Sequence, residues 1–269
     1  MPTSAEPLAY TPAAFMSSPS TPQSKAPNGH ADGTHRCWGR LADETSGSAV
    51  GGVDFEPSRR PADHAPTKVL FANPLSCEAE IRRMLADGDS LVCWSGTLAE
   101  ELFASTPLNW MAPGSERFRV FCDTFADAAT SAGRLLVRPH ARHLLSDIPS
   151  CLAFLDRAEG TGLGLAFDPA AMCDHSMLPV VEDHFVRMFE ALAGRSAVLL
   201  LGDLKPAKSG SIEGDAAGDA PPEIVPLGAG RLRAAFLRNL LESHLPTGTP
   251  VIFSAPDSEI QAQRDWLGM

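Results

Sequence analysis

Three short apolar runs constrain the fold of this chain more than anything else in it: LLV at 135–137, LGLAF at 163–167 and VLLL at 198–201. Each has the length of a strand and each runs directly into polar or charged residues, Arg138 and His140 after the first, Asp168 after the second and Asp203 after the third. Strands that are apolar on both faces belong to parallel sheets covered by helices, and the chemistry of such folds gathers at the carboxyl ends of the strands. An α/β architecture with its polar residues delivered to one rim is the expectation.

The rest of the second half alternates in the same way. Residues 68–72, 90–94, 134–137, 163–167, 197–201 and 250–253 read as strands. Helices are expected over 77–86 with Ser76 as N-cap, over 115–132 with Phe118, Phe121, Phe125 and Ala129 at helical spacing, and over 147–159, 180–193, 231–243 and 257–267. Residues 202–226 read as one long loop. That is six βα units, where a closed parallel (β/α) barrel of the TIM type has eight. The missing strands have to come from residues 36–66, where only CWGRL and AVGGV offer strand patterns, or the barrel is incomplete on its N-terminal side. Residues 1–35 hold six Pro and five Ser with few aliphatics, too little apolar surface to offset the entropy of ordering. Residues 1–66 are therefore expected to be disordered or poorly ordered, and 67–269 to form the barrel domain.

Composition excludes some functions. With 44% apolar residues in 269, the chain can bury one sizeable core. A formal charge of −11 with scattered basic residues gives no footprint for nucleic acid. The six cysteines form no CxxC pair and mostly lie in apolar segments, as free thiols in a reduced compartment do. No apolar run is long enough to span a membrane and no leader pattern opens the chain, so a cytoplasmic protein with no membrane partner is expected. Dinucleotide-binding, Walker and nucleophile-elbow motifs are all absent.

A strand ending in PH at 139–140, one ending in FDP at 167–169, one followed by GDLK at 202–205, the loop VPLGAG at 225–230 and a short last strand occur in an order that resembles the xylose isomerase-like TIM-barrel family of sugar phosphate isomerases and epimerases. The resemblance covers about residues 68–269 and is densest from Phe118 onward. It implies a divalent cation held by two glutamates, an aspartate and a histidine, with the glutamates moving protons beside a sugar carbonyl. Matched position by position, the first glutamate is Arg138, the aspartate is Asp168, the histidine is Leu200 and the last glutamate is Ser254. A further motif histidine falls at Ala171 and a motif lysine at Gly202, while Asp203 matches the final aspartate. One carboxylate cannot define a cation site, and a guanidinium beside it would pair with Asp168 in the ion's place.

The expectation is thus a sugar phosphate isomerase/epimerase-like barrel with no metal or other cofactor, acting on or binding a small sugar or polyol through Arg138, His140, Asp168, Asp203, Gly228, Gly230 and Ser254. Its alternative is a non-catalytic barrel that binds a small ligand or a protein. Gly228 and Gly230, just before a helix, could present backbone N–H groups to a phosphate or sugar oxygen, or could simply start that helix. His140, His143, Asp174 and His175 could rebuild a ligand set. Alternatively the two former histidines are loop residues bonded to neighbours and Asp174 caps a helical turn. Cys93, in mid-strand, is expected in the core.

Overall fold

The computed structural model of the protein describes residues 36–42, 49–56, 66–127, 129, 133–207, 221–255 and 258–269. Its elements in chain order are β1 (Trp38–Leu41), β2 (Val50–Phe55), β3 (Lys68–Leu70), α1 (Glu78–Ala86), β4 (Leu91–Trp94), α2 (Ala112–Ala126), β5 (Leu135–Arg138), α3 (Ile148–Ala158), β6 (Leu163–Phe167), α4 (Val181–Leu192), β7 (Val198–Leu201), β8 (Asp203–Lys205), β9 (Glu223–Val225), α5 (Ala234–His244), β10 (Val251–Phe253) and α6 (Ile260–Leu267). Eight strands close a barrel in the order β1-β10-β7-β6-β5-β4-β3-β2, and β8 pairs with β9 as a separate antiparallel hairpin. The expected parallel (β/α) barrel is therefore present and closed. No described helix is long and apolar enough to cross a membrane.

The two strands that close it are the CWGRL and AVGGV segments, so the barrel starts well before residue 67, the boundary expected from composition. Both strands carry glycine, which lowers strand propensity and hides them in the sequence. The glycines are needed because they point inward. A Cβ on Gly39 would lie 2.9 Å from the Phe55 ring, and one on Gly51 would lie 2.5 Å from the Phe71 ring. The expected tail at residues 1–35 lies outside the described residues.

One strand departs from the parallel expectation. β2 runs antiparallel to both β1 and β3, while every other barrel pairing is parallel. Only residues 42–49 join β1 to β2, fewer than the dozen or so that a crossover to a parallel neighbour requires.

Side chains alternate between two apolar clusters, as strand geometry dictates. Val69, Val92, Leu136, Ala166, Val198, Leu200 and Ile252 fill the barrel interior, joined by Leu41, Val53, Phe55 and Phe71. The residues between them, such as Val137, Leu165, Phe167, Leu201 and Phe253, face outward onto helix residues including Phe121, Phe125, Phe154, Phe185 and Phe189. Each fully buried phenylalanine contributes roughly 1.5–3 kcal/mol of transfer free energy.

Several local expectations shift. Ser76 is not the cap of α1: the helix starts after Cys77, and residues Pro74–Ser76 form a separate 3-10 turn capped by Asn73. α2 begins three residues earlier than expected, with Pro113 in its first turn, where the missing N–H has no intrahelical acceptor to lose. The expected 202–226 loop contains β8 and β9, each too short to show a period. α3 has a reciprocal cap in which Asp147 accepts from the Ser150 N–H and the Ser150 hydroxyl accepts from the Asp147 N–H.

Candidate functional site

Because Leu136, Ala166, Leu200 and Ile252 face inward, the residue two further along each strand also faces inward, now at the carboxyl-end mouth. Those residues are Arg138, Asp168, Gly202 and Ser254, with Trp94 contributed by β4 in register with Arg138. The mouth is thus built by strand periodicity from residues far apart in sequence.

Arg138 and Asp168 form its centre. Arg138 Nε and Nη2 both donate to Asp168 Oδ2, at 2.9 and 2.5 Å, and the Ala171 N–H donates to Oδ1 at 3.1 Å. The two side chains are 5% and 0% exposed. The guanidinium lies over the Trp94 ring, its central carbon 3.9 Å from the ring centroid, a cation–π contact worth about 2 kcal/mol or more when desolvated. Burial lowers the Arg138 pKa and Asp168 opposes that shift, and the group remains a cation. The pairing expected from sequence is present.

His140 and His143 stand on the loop after β5, their rings 4.7 Å apart and both edge-on to Trp94. Phe103 closes the same cluster, stacked on His143. His140 Nδ1 accepts from the Arg142 N–H at 3.1 Å, so its proton is on Nε2. His143 Nε2 donates to the Leu102 carbonyl at 2.8 Å, which leaves a deprotonated Nδ1, buried and without a hydrogen-bond partner. Burial pulls the His143 pKa down to about 4, with the Leu102 carbonyl opposing and Arg138 adding to the fall. The His140 pKa is well below its ordinary value for the same reason, with His143, Arg138 and Arg142 adding to it. The histidines are neutral, neighbour-bonded residues.

Asp203, Gly228 and Gly230 make a second arrangement. Asp203 Oδ2 accepts from the N–H groups of Gly228 and Gly230 at 3.2 and 3.0 Å. Its Oδ1 accepts from Leu204, Arg231 and Leu232 at 2.7, 2.9 and 3.0 Å. The VPLGAG loop does present backbone N–H groups to an anion, as its glycines suggested, but the anion is the chain's own carboxylate. Gly230 permits this approach, since a Cβ there would sit 2.3 Å from Asp203 Oδ1. Those amides are therefore not available to a phosphate, and this corrects the expectation for Gly228 and Gly230.

Ser254 is 8% exposed and its hydroxyl has no hydrogen-bond partner among the described residues. It lies beside Gly202, where a Cβ would stand 2.9 Å from the Ser254 Oγ. Asp174 caps the 3-10 turn His175–Val180, accepting from the N–H groups of Ser176 and Met177, and Cys93 is buried in β4. Sequence reasoning missed Trp94 and Phe103. The signal for Trp94 was its position at the end of an apolar strand, equivalent to that of Arg138.

The implied cation does not fit these residues. Both oxygens of Asp168 are engaged, Leu200 belongs to the apolar interior, and Arg138 puts a positive charge at the remaining position. Among the described residues no group of three or more His, Cys, Asp or Glu side chains is arranged to hold a metal.

On the rim, the loops after β4, β5 and β6, with Pro221 before β9, line a cleft of about 350 Å³ that includes Ser105, Trp110, Arg142, Asp174 and His175.

No protein-family model and no curated protein matches the chain. Among solved structures, it is similar to a xylose isomerase-like TIM barrel protein from Mycobacterium smegmatis in complex with magnesium, at 15% identity and a TM-score of 0.46, covering 72% of this chain and 65% of that one. It is similar to a D-allulose 3-epimerase from a Methylomonas species in complex with D-allulose, at 17% identity and a TM-score of 0.46, covering 72% and 62%. It is also similar to endonuclease IV from Thermus thermophilus, at 17% identity and a TM-score of 0.43, covering 72% and 67%. The chain thus spans 62–67% of the length of these three structures.

Proposed function

We propose that the mouth of this isomerase/epimerase-type barrel binds a small polyhydroxylated molecule, a sugar or polyol, without a divalent cation. The observation that carries the proposal is the Arg138–Asp168 pair, a buried ion pair with both carboxylate oxygens hydrogen-bonded, on the strand ends where the sequence resemblance implies a metal. Its charge is internal, so the mouth needs no ion to be neutral. The Ser254 hydroxyl supports the same reading: an unpartnered buried hydroxyl costs about 1–3 kcal/mol, which a hydroxylated ligand would offset.

The chemistry stops at binding. Proton transfer next to a carbonyl needs a base within reach, and the buried carboxylates Asp168 and Asp203 have their oxygens taken up by Arg138 and by backbone N–H groups. His143, with its pKa near 4, is a weak base.

Thermal melts and calorimetry with xylitol, with D-allulose and with Mn²⁺ test the proposal. A ligand that binds only the folded state raises the melting temperature. The expected result is a shift with polyol or sugar that persists in EDTA and is lost in Ser254→Val. Stoichiometric Mn²⁺ binding that disappears in Asp168→Ala, or metal-dependent turnover of a sugar, would overturn it.

A further inference from the structure

We infer that the rim cleft is a stacking subsite for a pyranose ring, with Trp110 as its platform; this rests on the reading of the mouth as a sugar-binding site and extends it to a ring bound beside it. Trp110 is 51% exposed and lines the cleft. Exposed tryptophans are ordinarily mobile side chains on mobile loops, but the turn that carries this one is held from below. Asn109, 2% exposed, accepts from the Leu98 N–H at 2.8 Å and donates to the Thr97 hydroxyl at 2.8 Å and to the Arg142 carbonyl at 2.7 Å. Gly114 lets the first turn of α2 close onto the same turn, since a Cβ there would stand 2.5 Å from the Asn109 carbonyl oxygen. The Arg142 N–H in turn donates to His140, in the cluster around Trp94 and Arg138. The backbone that carries the indole is therefore anchored by a buried network continuous with the mouth, and a platform on an anchored turn costs less entropy to use than one on a free loop.

The rest of the cleft lining is largely polar. Asp174 uses Oδ1 to cap its turn, and its Oδ2 has no partner among the described residues, which leaves it an acceptor for a sugar hydroxyl. His175 and Arg142 also line the cleft. An indole face is negative and apolar, and it complements the partly positive C–H face of a pyranose. Arg142 is 7% exposed and its Nη1 donates to the Phe103 carbonyl at 2.9 Å, so the exposed charge of the cleft is the Asp174 carboxylate, and the cleft suits a neutral hydroxylated ring better than a phosphorylated one. At about 350 Å³ it lies at the small end of ligand sites, which run from about 300 to 1,000 Å³.

Calorimetric titration of the full chain with methyl β-D-glucopyranoside, and separately with open-chain xylitol, tests the subsite. The expected result is saturable pyranoside binding that weakens about tenfold or more in Trp110→Ala and largely returns in Trp110→Phe, with xylitol binding unchanged by either substitution. All three proteins should unfold in one cooperative transition well above the titration temperature, so that a change in binding is read on native protein. Pyranoside binding indifferent to Trp110→Ala overturns the platform. If xylitol still binds, the mouth stands without it; if xylitol binds nowhere while the Trp110 dependence holds, the mouth fails and the platform stands. Conversion of a dimer to a monomer by Trp110→Ala in sedimentation also overturns it, since the indole would then face a second copy of the chain.

Discussion

Arg138 directs two donors at a single oxygen of Asp168, and the other oxygen of that carboxylate is held by the Ala171 N–H. A pair this buried is little affected by added salt but intolerant of losing one member. Arg138→Met should destabilise the protein by about 3–5 kcal/mol, measured by urea unfolding, because it strands a buried charge. Arg138→Met combined with Asp168→Asn should lose less than Arg138→Met alone. A double variant as unstable as the sum of its parts would show that the two residues are not coupled.

Asp203 organises the loop from Gly228 to Leu232 through four of that loop's backbone donors, and accepts a fifth bond from its own neighbour Leu204. In Asp203→Asn one oxygen becomes an NH₂ facing two or three N–H groups, so the variant should lose about 2–3 kcal/mol and the amides of that loop should exchange faster. Unchanged exchange at Gly230 and Leu232 would refute the assignment.

The histidine cluster makes stability depend on pH. Unfolded, an imidazole titrates near 6.5; folded, His143 is held down to about 4, and His140 is also lowered. Between those limits the unfolded state takes up protons that the native state refuses. Stability from this source is therefore complete above about pH 6.5 and is lost as pH falls toward 4, by up to about 1.4 kcal/mol per pH unit for each histidine. Unfolding free energies at pH 7 and pH 5 should differ, and His143→Phe should reduce that difference; equal pH dependence in both proteins would exclude His143 as its source.

Thiol chemistry should be confined to one site. Burial raises the pKa of Cys122, Cys151 and Cys173 to about 12, and that of Cys93 further, while Cys77 is the least buried of the six. Ellman's reagent should modify Cys77 first in the native protein and all six only after unfolding. Early labelling of Cys93 would mean that β4 is less protected than its packing implies.

Much of this was legible before any coordinates. β6 occupies the LGLAF run without a residue of difference, and β5, β7 and β10 lie within one residue of their apolar runs, because a fully buried strand advertises itself through unbroken hydrophobicity. The Arg138–Asp168 pairing was expected from the family resemblance, which puts a guanidinium and a carboxylate at neighbouring implied ligand positions, and the structure contains it. What escaped was decided by tertiary contact. Gly39 and Gly51 weaken the strand patterns of CWGRL and AVGGV, and only the Phe55 and Phe71 rings that fill the space beside them show why glycine stands there. Trp94 reads as core, and only the register of β4 with β5 places it under a guanidinium. Asp203 reads as a ligand because nothing local shows that a loop some 25 residues away wraps back onto it.

A closed barrel has no edge, and here closure depends on the reversed strand β2. Its outward residues include Gly52 and the exposed Asp54, which offers only a surface ion pair to Arg40, and surface pairs contribute little. If β2 peels away, β1 and β3 each acquire an open rim of unpaired N–H and C=O groups, the template on which strands of separate molecules assemble. A strand with no fully buried residue thus guards colloidal behaviour, and on heating the protein should lose monodispersity before it loses its helices.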